Sequence, residues 1–159
     1  MTHDEGGTAA VTTLVMLPLL LVVLAGALEF GALRAVAYRA AAAADLATVV
    51  AVNDQDQTVL ERTGTLRLAA GAADTARDYF ARNLYATASA LAVSVADIAA
   101  SADIASFPTA PATDPRTGAR YDRPTVRLIA TVPVKTPGFA VLLLPAVTTI
   151  TVRAASSPR

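Results

Sequence analysis

From Thr8 to Leu28 the chain reads TAAVTTLVMLPLLLVVLAGAL, with no charged side chain. Wound as an α-helix, this run rises about 31 Å, close to the thickness of a bilayer's hydrocarbon core. The helical pattern continues past it. Residues 29–52, EFGALRAVAYRAAAAADLATVVAV, contain no proline and consist mostly of strong helix formers. One helix is therefore predicted from residue 8 to residue 52, stopped by the polar NDQDQ stretch that follows. Pro18 is expected to loosen or kink this helix without ending it, because carbonyls freed in lipid are re-satisfied locally.

After a polar break from Asn53 to Gly64, apolar positions recur at helical spacing. Leu66, Ala69, Ala73, Ala76, Phe80 and Leu84 form one stripe and predict a second helix over about residues 66–87. The other side carries Arg67, Asp74, Arg77, Asp78 and Arg82, a solvated charged face. The periodicity then changes to two. Leu91, Val93 and Val95 alternate with small residues, predicting a strand at about 90–97. Val126, Leu128, Ala130, Val132 and Val134 share one face of a strand at 125–134, where Pro133 points to an edge or an end. A last strand is read at 147–154, with Ile150 and Val152 facing one way. The fold class is α+β: a long N-terminal helix, a second amphipathic helix, and a small antiparallel sheet of about three strands. Three segments follow: a short leader at 1–7, a transmembrane and extended helix at 8–52, and an extracytoplasmic domain at 53–159.

Two connections stand apart. Residues 106–124, SFPTAPATDPRTGARYDRP, hold four prolines and read as a mobile hairpin extension. Tyr121, between Arg120 and Arg123, is best read there as part of a solvated loop. Phe139 to Leu144, FAVLLL, sits between Gly138 and Pro145 and is unusually apolar for a strand connection. Phe139, Leu142, Leu143 and Leu144 are candidates for contact with lipid or a partner; folding back as a core plug is the alternative.

Composition narrows the chemistry. The 159 residues include no cysteine, which removes disulfides, thiol nucleophiles and zinc–thiolate sites. The one histidine, His3, cannot build a triad or a multi-histidine metal site, so no catalytic residue, cofactor or metal is expected. Formal net charge is zero, against a nucleic-acid footprint. The hydrophobic fraction is 54% and mean hydropathy +0.49, with alanine supplying much of the excess.

Three readings of the first 35 residues compete. Ala25-Gly26-Ala27 has the small-residue form of a signal-peptidase site, so cleavage after Ala27 would release a secreted domain. However, MTHDEGG lacks the basic residues of a signal-peptide start. A plain single-pass anchor carrying an extracytoplasmic binding module explains the hydrophobicity equally well. The third reading rests on three elements: Gly7 before a small residue, Leu17-Pro18 within the apolar run, and the exit GALEFG at Gly26–Gly31, followed by an Ala/Arg-rich helix. Over residues 6–46 this resembles TadE-like proteins, the minor pseudopilins of tight-adherence (Flp-type) pilus assembly systems.

The resemblance implies cleavage between Gly7 and Thr8 by a prepilin peptidase. It also implies insertion in the bacterial cytoplasmic membrane with the C-terminal domain outside. The implied role is non-enzymatic, in pilus assembly, priming or tip capping, with other pilin-like subunits and the platform proteins of the machine as partners. One position departs from the pattern: the fifth mature residue, usually Glu in pilin-like proteins, is Thr12. That substitution points to a tip, an initiating subunit or a membrane-resident factor instead of a repeating filament subunit. Thr12, Gly26, Glu29, Phe30 and Gly31 are the candidate helix-packing or assembly residues. The spacing Ala27-xxx-Gly31-xxx-Ala35, continued by Ala40–Ala44, either forms a close-approach seam for other helices or reflects the abundance of alanine. Glu29 is either solvated at the outer interface or paired with a neighbour's arginine.

Overall fold

The computed structural model describes residues 5–141 and 143–158, and the surroundings of side chains 12–140 and 143–158. The first element is a single helix, α1 (Glu5–Val52), which runs through Pro18 without a break and stops where the polar stretch begins. The other helices are α2 (Gln57–Thr63), α3 (Ala72–Leu84), α4 (Val95–Ser101) and α5 (Pro137–Val141), and a 3₁₀ turn spans Tyr85–Ala90. The strands are β1 (Asp103–Phe107), β2 (Ala112–Thr113), β3 (Arg120–Tyr121), β4 (Thr125–Lys135) and β5 (Val147–Ser156). A three-stranded antiparallel sheet has the order β1-β4-β5, and β2 with β3 forms a separate hairpin. The fold is α+β, with a long apolar helix and a small antiparallel sheet.

The core lies between one face of the sheet and the helices. Val126, Leu128, Ala130, Val132 and Val134 are all buried, and they alternate along β4 as the pleat requires. Val152 and Ala154 of β5 are buried beside them. Against this face pack Phe80 and Leu84 of α3, Val95, Ile98 and Ala99 of α4, and the second half of α1. On α1 the buried positions are Val36, Ala40, Ala43, Ala44, Ala47, Ala51 and Val52, a three-and-four spacing made mostly of alanine. Small side chains let α1 lie close to α3 and the sheet. The buried Thr48 hydroxyl sits 2.9 Å from the Asp45 carbonyl and 2.9 Å from the Ser156 hydroxyl, so the chain's end is tied to the helix.

Three element boundaries differ from the sequence pattern. The strand expected at 90–97 is instead a 3₁₀ turn leading into α4. Ser94 caps α4: its Oγ accepts from the Asp97 N–H at 3.1 Å and donates to the Asp97 carboxylate at 2.6 Å. This serine cap, steadied by the Asp97 carboxylate, outweighs the short alternation of Leu91, Val93 and Val95. Only Leu91 bridges to the sheet, opposite Val134, and the first true strand is β1. The second helix starts at Ala72, not 66, and its buried stripe is Ala72, Ala76, Phe80 and Leu84, while Leu66 is exposed. Within the polar break, Asp56 caps the short α2 by accepting from the N–H groups of Thr58 and Val59. Pro133 lies in central β4, but β1 pairs only with Thr125–Ile129. Beyond β1 the Leu91–Ala92 segment runs beside Pro133, whose carbonyl accepts from the Ala92 N–H at 2.9 Å, a contact that asks for no N–H from the proline.

Candidate functional site

Among the described residues, two regions hold chemistry beyond packing: the uncovered half of α1 with its neighbour α5, and a buried ion cluster under the β2–β3 hairpin. The described stretch of α1 contains an 18-residue window of mean hydropathy 2.3 that is 0% buried. Leu14, Leu20 and Val23 are 76%, 64% and 63% exposed, a bare apolar surface of the kind that lipid or a partner covers. By length and composition α1 is able to cross a membrane.

The domain grips α1 from Val36 onward and reaches back along one face. Gly26, Glu29 and Leu33 are half-buried and lie in line with Val36 and Ala40. At about 100° per residue, Ala27, Gly31 and Ala35 fall on the opposite side of the helix. They are exposed, and a Cβ built on Gly31 meets nothing within 4 Å. The small-residue spacing thus divides in two. Ala40, Ala43 and Ala44 are consumed by the chain's own core, whereas Ala27-xxx-Gly31-xxx-Ala35 faces away from it.

Where the apolar run ends, α5 meets α1. Gly138 comes so close to Glu29 that a Cβ there would stand 2.8 Å from the Glu29 Oε2. Among the described residues Glu29 forms no ion pair, and Arg34 instead lies over the Phe30 ring at 5.1 Å, a cation–π contact one turn along. Phe30 is otherwise exposed. In the 139–144 segment, Phe139 is half-buried, Leu143 is 96% exposed and Leu144 51% exposed; Leu142 lies outside the described residues. A core plug is therefore not what Leu143 and Leu144 form. Thr12 is an exposed helical residue; Gly7 and Thr8 belong to the first turns of α1, with side-chain surroundings outside those described, as are residues 1–4 of the expected leader.

The ion cluster is a feature the sequence pattern missed. Arg127 occupies β4 on the sheet face opposite the core, its side chain only 6% exposed. Its Nη1 donates to Asp103 Oδ2 at 2.7 Å, and its Nε stands 2.7 Å from Asp114 Oδ2. The Nε–H is poorly aligned with that oxygen, so the second contact is an ion pair more than a hydrogen bond. Arg116 adds a further pair to Asp103 at 2.6 Å. Asp114 also accepts from the Thr117 hydroxyl at 2.6 Å and the Arg116 N–H at 2.9 Å, folding the DPRTG turn around itself. Gly118 takes the left-handed φ of +72° which that turn demands.

These contacts hold both carboxyl groups below their ordinary pKa. For Asp103 the main cause is the Arg127 hydrogen bond, opposed by burial. For Asp114 it is the Thr117 hydroxyl, again opposed by burial. Arg127 is pushed up, chiefly by its hydrogen bond to Asp103. Tyr121 packs on Phe107 with ring centroids 5.0 Å apart, while Arg123 donates to the Pro158 carbonyl and Arg120 approaches Asp122. The 106–124 connection is thus a hairpin, as expected, but one clamped to the sheet instead of loose. Every charge in the cluster has a partner, and its chemistry is that of a structural clasp. The available signals were an arginine inside a strand and the DPRTG turn; neither names the partner across the sheet.

Among the described residues no group of three or more His, Cys, Asp or Glu side chains is placed to hold a metal ion. No family model, curated protein or solved structure matches this chain.

Proposed function

We propose that this protein is a non-enzymatic, TadE-like minor pseudopilin: a membrane-inserted component of a tight-adherence pilus or related secretion machine. The observation that carries the reading is the division of labour along α1. One half is a bare apolar rod able to cross a bilayer, and the other half is the spine of a small α+β domain. In this reading the rod stores the subunit in the cytoplasmic membrane, with the domain outside. Lateral helix packing replaces lipid contacts when the complex assembles. The face available for that exchange carries Ala27, Gly31 and Ala35, turned away from the chain's own domain. Partners of this kind are pilin-like subunits and platform proteins, and a prepilin peptidase supplies the mature terminus.

Thr12 in place of a glutamate favours a subunit that joins once, at a tip or a base. Without that carboxylate the helix has no charge to pair with a neighbour's N-terminal amine inside an apolar filament. The test is the mass of the mature N-terminus after co-expression with a prepilin peptidase. A new terminus at Thr8, abolished by Gly7→Val, supports the reading. Cleavage after Ala27 would make the protein a secreted domain, and an intact Met1 would leave a plain anchored binding module; either result overturns it.

A further inference from the structure

We infer that the α5 tip is a second membrane contact, in which Leu143 and Leu144 dip into the outer edge of the same bilayer that α1 crosses. The inference rests on the anchor reading above and adds to it a fixed distance between domain and lipid. Its first support is position. Gly138 touches Glu29, the first charged residue after the uncharged run, so α5 sits at the level where α1 leaves the hydrocarbon. The domain therefore does not stand off on a stalk; its tip rests at the membrane surface.

The second support is composition. Residues 136–146, TPGFAVLLLPA, carry no charge, and Leu143 shows 96% of its surface. Leu24, Leu28 and Phe30 on α1, within about a turn and a half of Glu29, are 52%, 67% and 53% exposed, so the helix too is apolar and uncovered near this level.

The third support is the backbone. Entry into the interface penalises unpaired N–H and C=O groups, and among the described residues of this turn several are paired internally. The Leu144 N–H donates to the Phe139 carbonyl at 2.9 Å, and the Leu143 N–H donates to the Ala140 carbonyl at 3.1 Å. At the base the Thr136 N–H donates to the Ala146 carbonyl at 2.8 Å, and the Thr136 hydroxyl to the Pro145 carbonyl at 2.9 Å. Leu143 itself holds φ +59°, a left-handed conformation that L side chains rarely adopt. In water that exposed leucine buries almost none of its apolar surface, whereas lipid gives it an apolar surrounding.

The absence of tryptophan and cysteine makes a direct test simple. Three full-length single-tryptophan variants, Leu143→Trp, Leu66→Trp and Leu20→Trp, are reconstituted in phosphatidylcholine vesicles with and without bromine-labelled acyl chains. Leu20→Trp reports the span, and Leu66→Trp reports an exposed position away from the tip. Bromolipid should quench Leu143→Trp at least about twofold more than Leu66→Trp, with blue-shifted emission, as expected for an indole at the headgroup–acyl boundary. Leu144→Trp, at a second exposed tip position, should behave likewise. Quenching of Leu20→Trp with Leu143→Trp and Leu144→Trp no different from Leu66→Trp overturns the inference while leaving the anchor intact. Blue-shifted emission at the tip without bromolipid quenching identifies a protein surface, such as a second copy, as the occupant and also overturns it. Failure of Leu20→Trp to quench removes the anchor and the tip contact together.

Discussion

Replacing Arg127 tests whether the 106–124 hairpin is a clamped part of the fold. Arg127→Met keeps the length of the side chain and removes the charge that Asp103 and Asp114 share. Asp114 is only 1% exposed, so its carboxylate would lose the cation facing it in a place water barely reaches. Removing one member of a buried pair costs about 3–5 kcal/mol, and here the lower end applies. Asp103 is 27% exposed and keeps Arg116 at 2.6 Å, while Asp114 keeps the Thr117 hydroxyl and the Arg116 N–H.

A loss of about 3 kcal/mol corresponds to a roughly 100-fold rise in hydrogen exchange at the slowest β4 amides, when exchange follows global opening. The measurement is exchange of full-length protein in mild detergent, with residues 125–134 as the reporter and α1 as an internal control. The pH dependence follows from the carboxylates. Both have folded pKa values below the ordinary one, so the unfolded state binds protons first as acid is added. Their contribution is complete above about pH 4 and is lost as pH falls through the folded values. The gap between wild type and Arg127→Met should therefore narrow in acid, because protonation removes the charge that Arg127 neutralises. A variant within about 0.5 kcal/mol of wild type at neutral pH, or a gap that widens on acidification, would refute the clasp.

Three further substitutions probe the division of α1 and the start of α4. Ala44→Leu forces a larger side chain into a position with no exposed surface and should cost about 1–3 kcal/mol, read by the same exchange measurement. Ala35→Leu, on the opposite face, should leave stability within about 0.5 kcal/mol and impair only co-purification with helix partners; equal destabilisation by both would contradict the two-faced helix. Ser94→Ala removes the α4 cap and should cost about 1 kcal/mol, with faster exchange concentrated at Asp97 and Ile98.

The parts of the fold that could be read in advance are those written in a single local period. The α1 run is long, opens with an uncharged apolar stretch and has no internal stop apart from Pro18, and β4 carries apolar residues at every second position from Val126 to Val134, so both are legible close to their true extents. At 90–97 a short alternation competes with a cap. Leu91, Val93 and Val95 fit a strand, but Ser94 and Asp97 form one side-chain–backbone and one side-chain–side-chain bond that start a helix in the same seven residues. The ion cluster was illegible for a different reason. Asp103, Asp114 and Arg127 meet only because β1 pairs with β4 and the hairpin folds over their shared face, a non-local fact that no spacing along the chain encodes. The apolar tip was visible as composition; its position against Glu29 required the fold.

The alanines of α1 carry two meanings that sequence alone leaves merged. Before residue 36 the small side chains on one face lie open; from residue 36 onward those on the other face are buried under the sheet and α3. Because both sets belong to one unbroken helix, the domain has no hinge between itself and the apolar rod. The half-buried Gly26, Glu29 and Leu33 extend the domain's footprint toward the apolar run, and α5 closes on the helix there. A second helix approaching from that side would collide with α5. One approaching along Ala27, Gly31 and Ala35 meets only small side chains and the open surface at Gly31. The arrangement thus leaves a single face of the rod open to close helix packing at this level. On the reading proposed above, that one face, together with Thr12 where a filament subunit would carry a charge, suits a subunit added to an assembly once.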